Sequence, residues 1–166
     1  MSFLSKKYYY FIIFATNLLI MTKKQRADFV RKELDKLYPT VPIFLHHTDA
    51  YTLLVAVALS AQTTDKKVNE ITPELFRVAG TPQAMARLEV AEIKDLIKEI
   101  GLSNTKAKNL KGMAEMLIRE YEGVVPQTFE ELEKLPGVGH KTASVVMSQW
   151  FGFPAFPVDT HIHRLM

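Results

Sequence analysis

An all-α array of helices joined by short connections, a bundle or superhelix, is the fold class this sequence predicts. Three observations predict it. From Gln25 onward, apolar residues recur at helical spacing. Side-chain caps and prolines mark helix starts, and glycines follow helix ends. The most apolar segment, YTLLVAVALSA, contains Val55 and Val57 but is long for a strand and rich in Ala and Leu. No repeat of solenoid period accompanies these signals.

The first amphipathic helix covers about residues 25–37, with Phe29, Val30, Leu34 and Leu37 on one face, and Pro39 and Pro42 follow it. Asp49 caps the very apolar helix, whose continuous hydrophobicity implies burial on nearly all sides. Thr64 or Asp65 starts the next, which carries Val68, Ile71, Leu75 and Phe76. Thr81 is an N-cap and Pro82 a first-turn proline for TPQAMARL. AEIKDLIKEI ends at Gly101, where a C-terminal cap belongs. Asn104 or Thr105 opens a long helix to about Tyr121, closed by Gly123. Thr128 and Glu131 form a capping-box pair before LEKL. A PGVG turn leads into a helix from about His140 to Trp150, ended by Gly152, and after FPAFP a last helix begins at Asp159.

With 166 residues, 48% of them apolar, the chain can bury one core of ordinary domain size. A net charge of +3 and a pI near 9.0 favour an anionic partner only weakly. They suit a nucleic-acid binder with a local basic face, and equally an ordinary enzyme. The absence of cysteine excludes disulfides, thiolate catalysis, zinc–thiolate sites and iron–sulfur clusters from this stretch of chain. His46 and His47, or His161 and His163, do not share a helix face and have no carboxylate to complete a set, so no metal site is expected.

Residues 1–20 form a separate extension. Lys6 and Lys7 precede an apolar run of roughly 14 residues, short of the roughly 20 that span a bilayer. A signal peptide would want a cleavage site that is not there. A signal anchor is a second reading, which would give a membrane-anchored product. The preferred reading starts translation at Met21, because MTKKQRADF resembles the polar start of a soluble protein.

LPGVGHKTA is the most informative segment. Two helices joined through Pro136, Gly137, Val138 and Gly139 make a helix-hairpin-helix. Glycines there allow unusual backbone angles and clear side chains from the approach surface. Backbone N–H groups at the turn and the next helix start can face a phosphate. Val138 is expected to pack under the hairpin, and Ala143 to let the two helices approach. A plain helix–helix turn fits the same residues.

Lys141 breaks a local rule, since the positive end of a helix dipole prefers Asp or Glu. The same field, with partial burial, favours the free amine that attack on a sugar carbon requires. A surface lysine touching a DNA backbone is the plainer reading. Asp159, in VDTHIHRL, sits where an N-cap belongs, and an ionised, capped carboxylate can also stabilise an oxocarbenium ion.

LSAQTTD, LPGVGHKTA and VDTHIHRL stand in the order and approximate spacing of the endonuclease III branch of helix-hairpin-helix DNA glycosylases, which the chain resembles from about Gln25 to its last residue. The resemblance implies a six-helix barrel over about residues 43–153, with the hairpin at about 131–150. Residues 21–42 would supply an N-terminal helix to a second helical domain, and residues 154–166 would begin that domain, leaving it incomplete. It implies that Lys141 attacks C1′ of a damaged nucleotide, expels the base and forms a Schiff base, with Asp159 assisting before β-elimination cuts the strand. The nucleotide must first leave the stack.

By the same resemblance Ser60, Gln62 and Asp65 lie in the segment that enters the minor groove, with Gln62 filling the space of the flipped base. Leu102 matches an apolar wedge beside it. Gly137, Val138, Gly139, His140 and Thr142 belong to the DNA-gripping hairpin, and His140 stands where many members have arginine. From the residues alone, Gln62 is also an ordinary polar helix-end residue and Leu102 a contact folded back after Gly101. Lys106, Lys108 and Lys111 either line the DNA side or form a solvated face.

The resemblance further implies oxidised pyrimidines in double-stranded DNA as substrate, a monomer, a cytoplasmic location at the bacterial nucleoid, and no membrane or small-molecule cofactor. A 4Fe-4S cluster would need cysteines from a further C-terminal segment. The alternative expectation is a catalytically inactive DNA-binding remnant.

Overall fold

The computed structural model describes residues 21–39, 43–158 and 164, and every regular element among them is helical. The chain divides into two compact units, one ending at Pro42 and the other beginning at Ile43. In the first lies α1 (Lys23–Leu37), opened by a capping box in which Thr22 and Gln25 exchange side-chain and backbone bonds. The box carries the helix start two residues before Gln25. Val30, Leu34 and Leu37, the apolar face expected from the sequence, are exposed.

The second unit is built around α2 (Ala50–Ser60). Leu53, Leu54, Val55, Ala56 and Leu59 are wholly inaccessible to solvent, so the helix is buried on nearly every side, as its unbroken hydrophobicity implies. Asp49 caps it as expected: its carboxylate accepts the Thr52 N–H at 2.8 Å. Packed against α2 are α3 (Asp65–Ala79), α6 (Ser103–Tyr121) and α8 (His140–Gln149). The short helices α4 (Pro82–Arg87) and α5 (Val90–Leu96) lie along α6. A single turn, α7 (Phe129–Leu132), precedes α8 and packs on it. One core runs through this unit, from Leu45 to Met147. Truncating one of its fully buried leucines to Ala costs about 2–5 kcal/mol.

Two expected boundaries shift. AEIKDLIKEI is not one helix to Gly101: α5 ends at Leu96, and the Ile100 N–H bonds back to Ile97 in a separate turn. Gly101 takes no left-handed angle. Leu102 does, at φ 59°, and α6 starts directly after it rather than at Asn104 or Thr105. The chain therefore reverses on a leucine where the sequence suggested a glycine. At Thr128 the box is half made: the hydroxyl accepts the Glu131 N–H, but the Glu131 carboxylate accepts from the hydroxyl, not from the Thr128 backbone.

Candidate active site

The hairpin consists of α7, the turn of residues 133–139 and α8. Its turn is pinned by the Leu135 N–H on Leu132 and the Val138 N–H on Leu135, both at 3.1 Å. Val138 and Ala143 are buried, as expected for an anchor below the turn and a close helix contact. Gly137 has φ +80°, and a Cβ there would stand 2.9 Å from the Asn109 side chain. Gly139 has an ordinary φ of −98° and nothing within 4 Å of a would-be Cβ. The first glycine is required by conformation and packing, whereas the second leaves the surface open.

Helices α1, α2, α3, α4 and α7 begin on a Thr or Asp whose side chain accepts a first-turn N–H. α8 does not, because its N-cap is Gly139. Its first turn carries His140, Lys141 and Thr142, and Lys141 is exposed rather than partly buried. Asp159, together with His161 and His163, lies outside the described residues.

Gln62 and Leu102 share a property that spacing did not disclose. Both are left-handed, at φ 57° and 59°, and both are exposed. For a residue with a Cβ that conformation costs about 1 kcal/mol or more. Leu102 is 62% exposed, so it does not fold back onto the core. The Ser60 hydroxyl turns back onto its own helix, donating to the Val57 carbonyl at 2.9 Å. Asp65 faces elsewhere, into an open groove of about 620 Å3 lined also by Phe44, His46, Lys66, Asn69 and Glu70.

Lys106 is corrected by the structure. It lines neither a DNA face nor a solvated one: only 8% exposed, its ammonium donates to the carbonyls of Leu59 (3.0 Å) and Ala61 (2.7 Å) and to the Thr63 hydroxyl (3.1 Å). Burial lowers its pKa from the usual lysine value, while three acceptors occupy its three N–H groups. Lys111 is likewise structural, donating to the carbonyls of Ala86 and Leu88 at the end of α4. Lys108 alone of the three is exposed. A cavity of about 20 Å3 lined by Leu59, Lys106, Asn109 and Gly137 brings the end of α2 and the hairpin tip together.

Three residues of the site escaped the sequence reading: Asn109, Phe129 and Glu133. Asn109 supports Gly137. His140 stacks on Phe129, with ring centroids 5.4 Å apart and planes 26° apart. Its Nδ1 meets Glu133 Oε1 at 2.6 Å. These contacts cross a hairpin or join separate helices, where no periodicity signals them. Among the described residues no group of three His, Asp or Glu side chains can hold a metal ion.

An all-helical unit presenting an uncapped helix through a glycine hairpin defines a helix-hairpin-helix protein. Residues 55–166 match the HhH-GPD superfamily base excision DNA repair protein family, and the chain belongs to that family. Endonuclease III of Escherichia coli (strain K12) is 44% identical over 146 residues, covering 87% of this chain and 68% of that protein. Endonuclease III of Bacillus subtilis (strain 168) is 42% identical over 145 residues, 87% of this chain and 66% of that protein. The chain thus spans about two thirds of the length of these relatives.

Among solved structures, a non-covalent endonuclease III–DNA complex and a trapped covalent endonuclease III–DNA intermediate each superpose with a TM-score of 0.80 at 43% identity, covering 87% of this chain and 68% of theirs. A thermostable thymine-DNA glycosylase gives 0.75 at 33% identity, over 86% of this chain and 66% of its own. The cluster implied by the resemblance does not fit this chain's residues, since no cysteine is present to ligate it.

Proposed function

We propose that this chain is a base-excision repair glycosylase with AP lyase activity, acting on oxidised pyrimidines in duplex DNA. The observation that carries the reading is Lys141, exposed in the uncapped first turn of the hairpin helix, in a chain 43% identical to an endonuclease III trapped covalently on DNA. In this reading the Lys141 amine attacks C1′, the C–N bond to the base breaks, and the base leaves with the bonding pair. Loss of the amine proton and opening of the sugar, with a proton gained at the ring oxygen, give the Schiff base; β-elimination then removes the C2′ proton and breaks the C3′–O bond, and the phosphate on C3′ leaves with the bonding pair. Asp159 stabilises the positive charge that develops on the sugar.

The hairpin, through Gly137, Val138, Gly139, His140 and Thr142, holds the backbone. Gln62 and Leu102 enter the minor groove from the segment containing Ser60 and Asp65. In this reading the chain works as a monomer in the cytoplasm at the nucleoid, as the sequence resemblance implies; no described helix is long and apolar enough to cross a membrane.

Borohydride trapping on a duplex with an abasic site or an oxidised pyrimidine tests the reading. The expected result is a covalent adduct that Lys141→Ala abolishes. No adduct, or equal trapping by the variant, overturns it. Salt-sensitive duplex binding without cleavage would identify a DNA-binding remnant instead.

A further inference from the structure

We propose that Glu133 and Phe129 are positioning residues for His140, arranged so that His140 grips a DNA phosphate only as the imidazolium. The inference rests on the reading of the hairpin as a phosphate-holding element and adds a proton to it.

His140 opens α8 and its side chain is 74% exposed, yet the ring is held on two sides. Phe129 stacks on one face, and Phe153 meets Phe129 edge-on at 5.8 Å. In the plane of the ring, Nδ1 meets Glu133 Oε1 at 2.6 Å. A carboxylate only accepts, so the hydrogen of this bond belongs to Nδ1. Glu133 therefore selects the tautomer. In a neutral ring so held, Nε2 is a bare acceptor, which a phosphate oxygen repels. In the protonated ring Nε2 becomes a charged donor, which a phosphate oxygen attracts.

The surroundings sharpen the difference. A carboxylate beside an approaching phosphate is repulsive unless a positive charge lies between them, and the imidazolium supplies one. Among the described residues, the other ionisable groups flanking the ring in sequence are few. In the preceding turn Lys134 pairs with Glu130 at 3.7 Å, Lys141 is the next residue of α8, and residues 151–158, which bring Phe153, include none. Affinity should thus fall with rising pH. Glu133 steepens that dependence, since without its carboxylate a neutral ring could place its hydrogen on Nε2 and still donate.

The test is binding of the full chain to a short duplex carrying a stable abasic-site analogue, measured from about pH 6 to about pH 8. Wild-type affinity should fall about tenfold across this range, the worth of one charge-assisted contact. H140R should bind tightly with a flat profile, because a guanidinium keeps its charge. E133Q should flatten the profile while leaving thermal stability unchanged. A wild-type profile as flat as that of H140R overturns the inference and leaves the hairpin reading intact. A wild-type slope retained in E133Q overturns the positioning role. If neither wild type nor H140R binds duplex at any pH, the hairpin reading itself is what fails.

Discussion

The ammonium of Lys106 lies 2.7 Å from the carbonyl oxygen of Ala61, while the backbone N–H of Lys106 bonds to the carbonyl of Leu102 at 3.0 Å. One residue thus ties together two of the places where the chain turns left-handed, Gln62 directly after Ala61 and Leu102 at the head of α6. The expected DNA-entering residues stand on a common buried support.

Lys106→Ala removes that support. It leaves the Leu59 and Ala61 carbonyls without their donor, at roughly 1–3 kcal/mol for each group that stays buried. Chemical denaturation should show a loss of about 3 kcal/mol. The same change at exposed Lys108 should stay within about 0.5 kcal/mol. Equal effects at the two sites would contradict the assignment.

Leu102→Gly should relieve left-handed strain and raise stability by about 1 kcal/mol, visible as a higher Tm. If Leu102 is the wedge of the proposed function, binding to damaged duplex should weaken in the same variant. A gain in stability without loss of binding would make Leu102 a strained residue with no part in DNA entry.

The two hairpin glycines should separate on substitution. Gly137→Ala meets both a positive φ and the Asn109 side chain, and should cost about 1–3 kcal/mol in an unfolding experiment. Gly139→Ala meets neither and should leave stability within about 1 kcal/mol. Any loss of duplex affinity in Gly139→Ala then reports the close approach of a phosphate.

Tyr51 governs the alkaline limb. Its buried hydroxyl has no hydrogen-bond partner among the described residues, and burial, with the Asp49 carboxylate adding, raises its pKa above the ordinary 10.0. A phenol whose folded pKa is raised contributes stability that is complete below the unfolded value and is lost as pH rises beyond it. Lys106, with its pKa lowered, acts in the opposite sense: its contribution improves as pH rises through the folded value towards the usual 10.5. Urea unfolding at neutral pH and above about pH 10 should show Tyr51→Phe losing less than wild type. At neutral pH the variant should gain about 1 kcal/mol by removing an unsatisfied hydroxyl. A wild-type-like alkaline loss in Tyr51→Phe would remove Tyr51 from the account.

Most helices were legible because caps and periodicity act within a few residues: Asp49, Thr64, Thr81 and Thr128 each bond where their sequence places them. The hairpin was legible for the same reason. Lys106 and Lys111 were not, since a lysine on a helix reads as solvated until the carbonyls of α2 and α4 are seen around it. Leu102 misled because a glycine stands beside it, and glycine is the usual bearer of a left-handed angle. The Glu133–His140 bond joins residues on either side of a turn, a distance that no local rule spans.

The position of α2 has a consequence for synthesis on the ribosome. This helix is made before α8, one of the elements that covers it. Until residues of α8 have left the exit tunnel, the apolar surface of α2 lacks one of its walls. The nascent chain must therefore carry that surface only partly covered while the segment between α2 and α8 is made, a natural point for chaperone capture. Slowing the ribosome before α8 has emerged would lengthen the exposure, whereas slowing it afterwards would not.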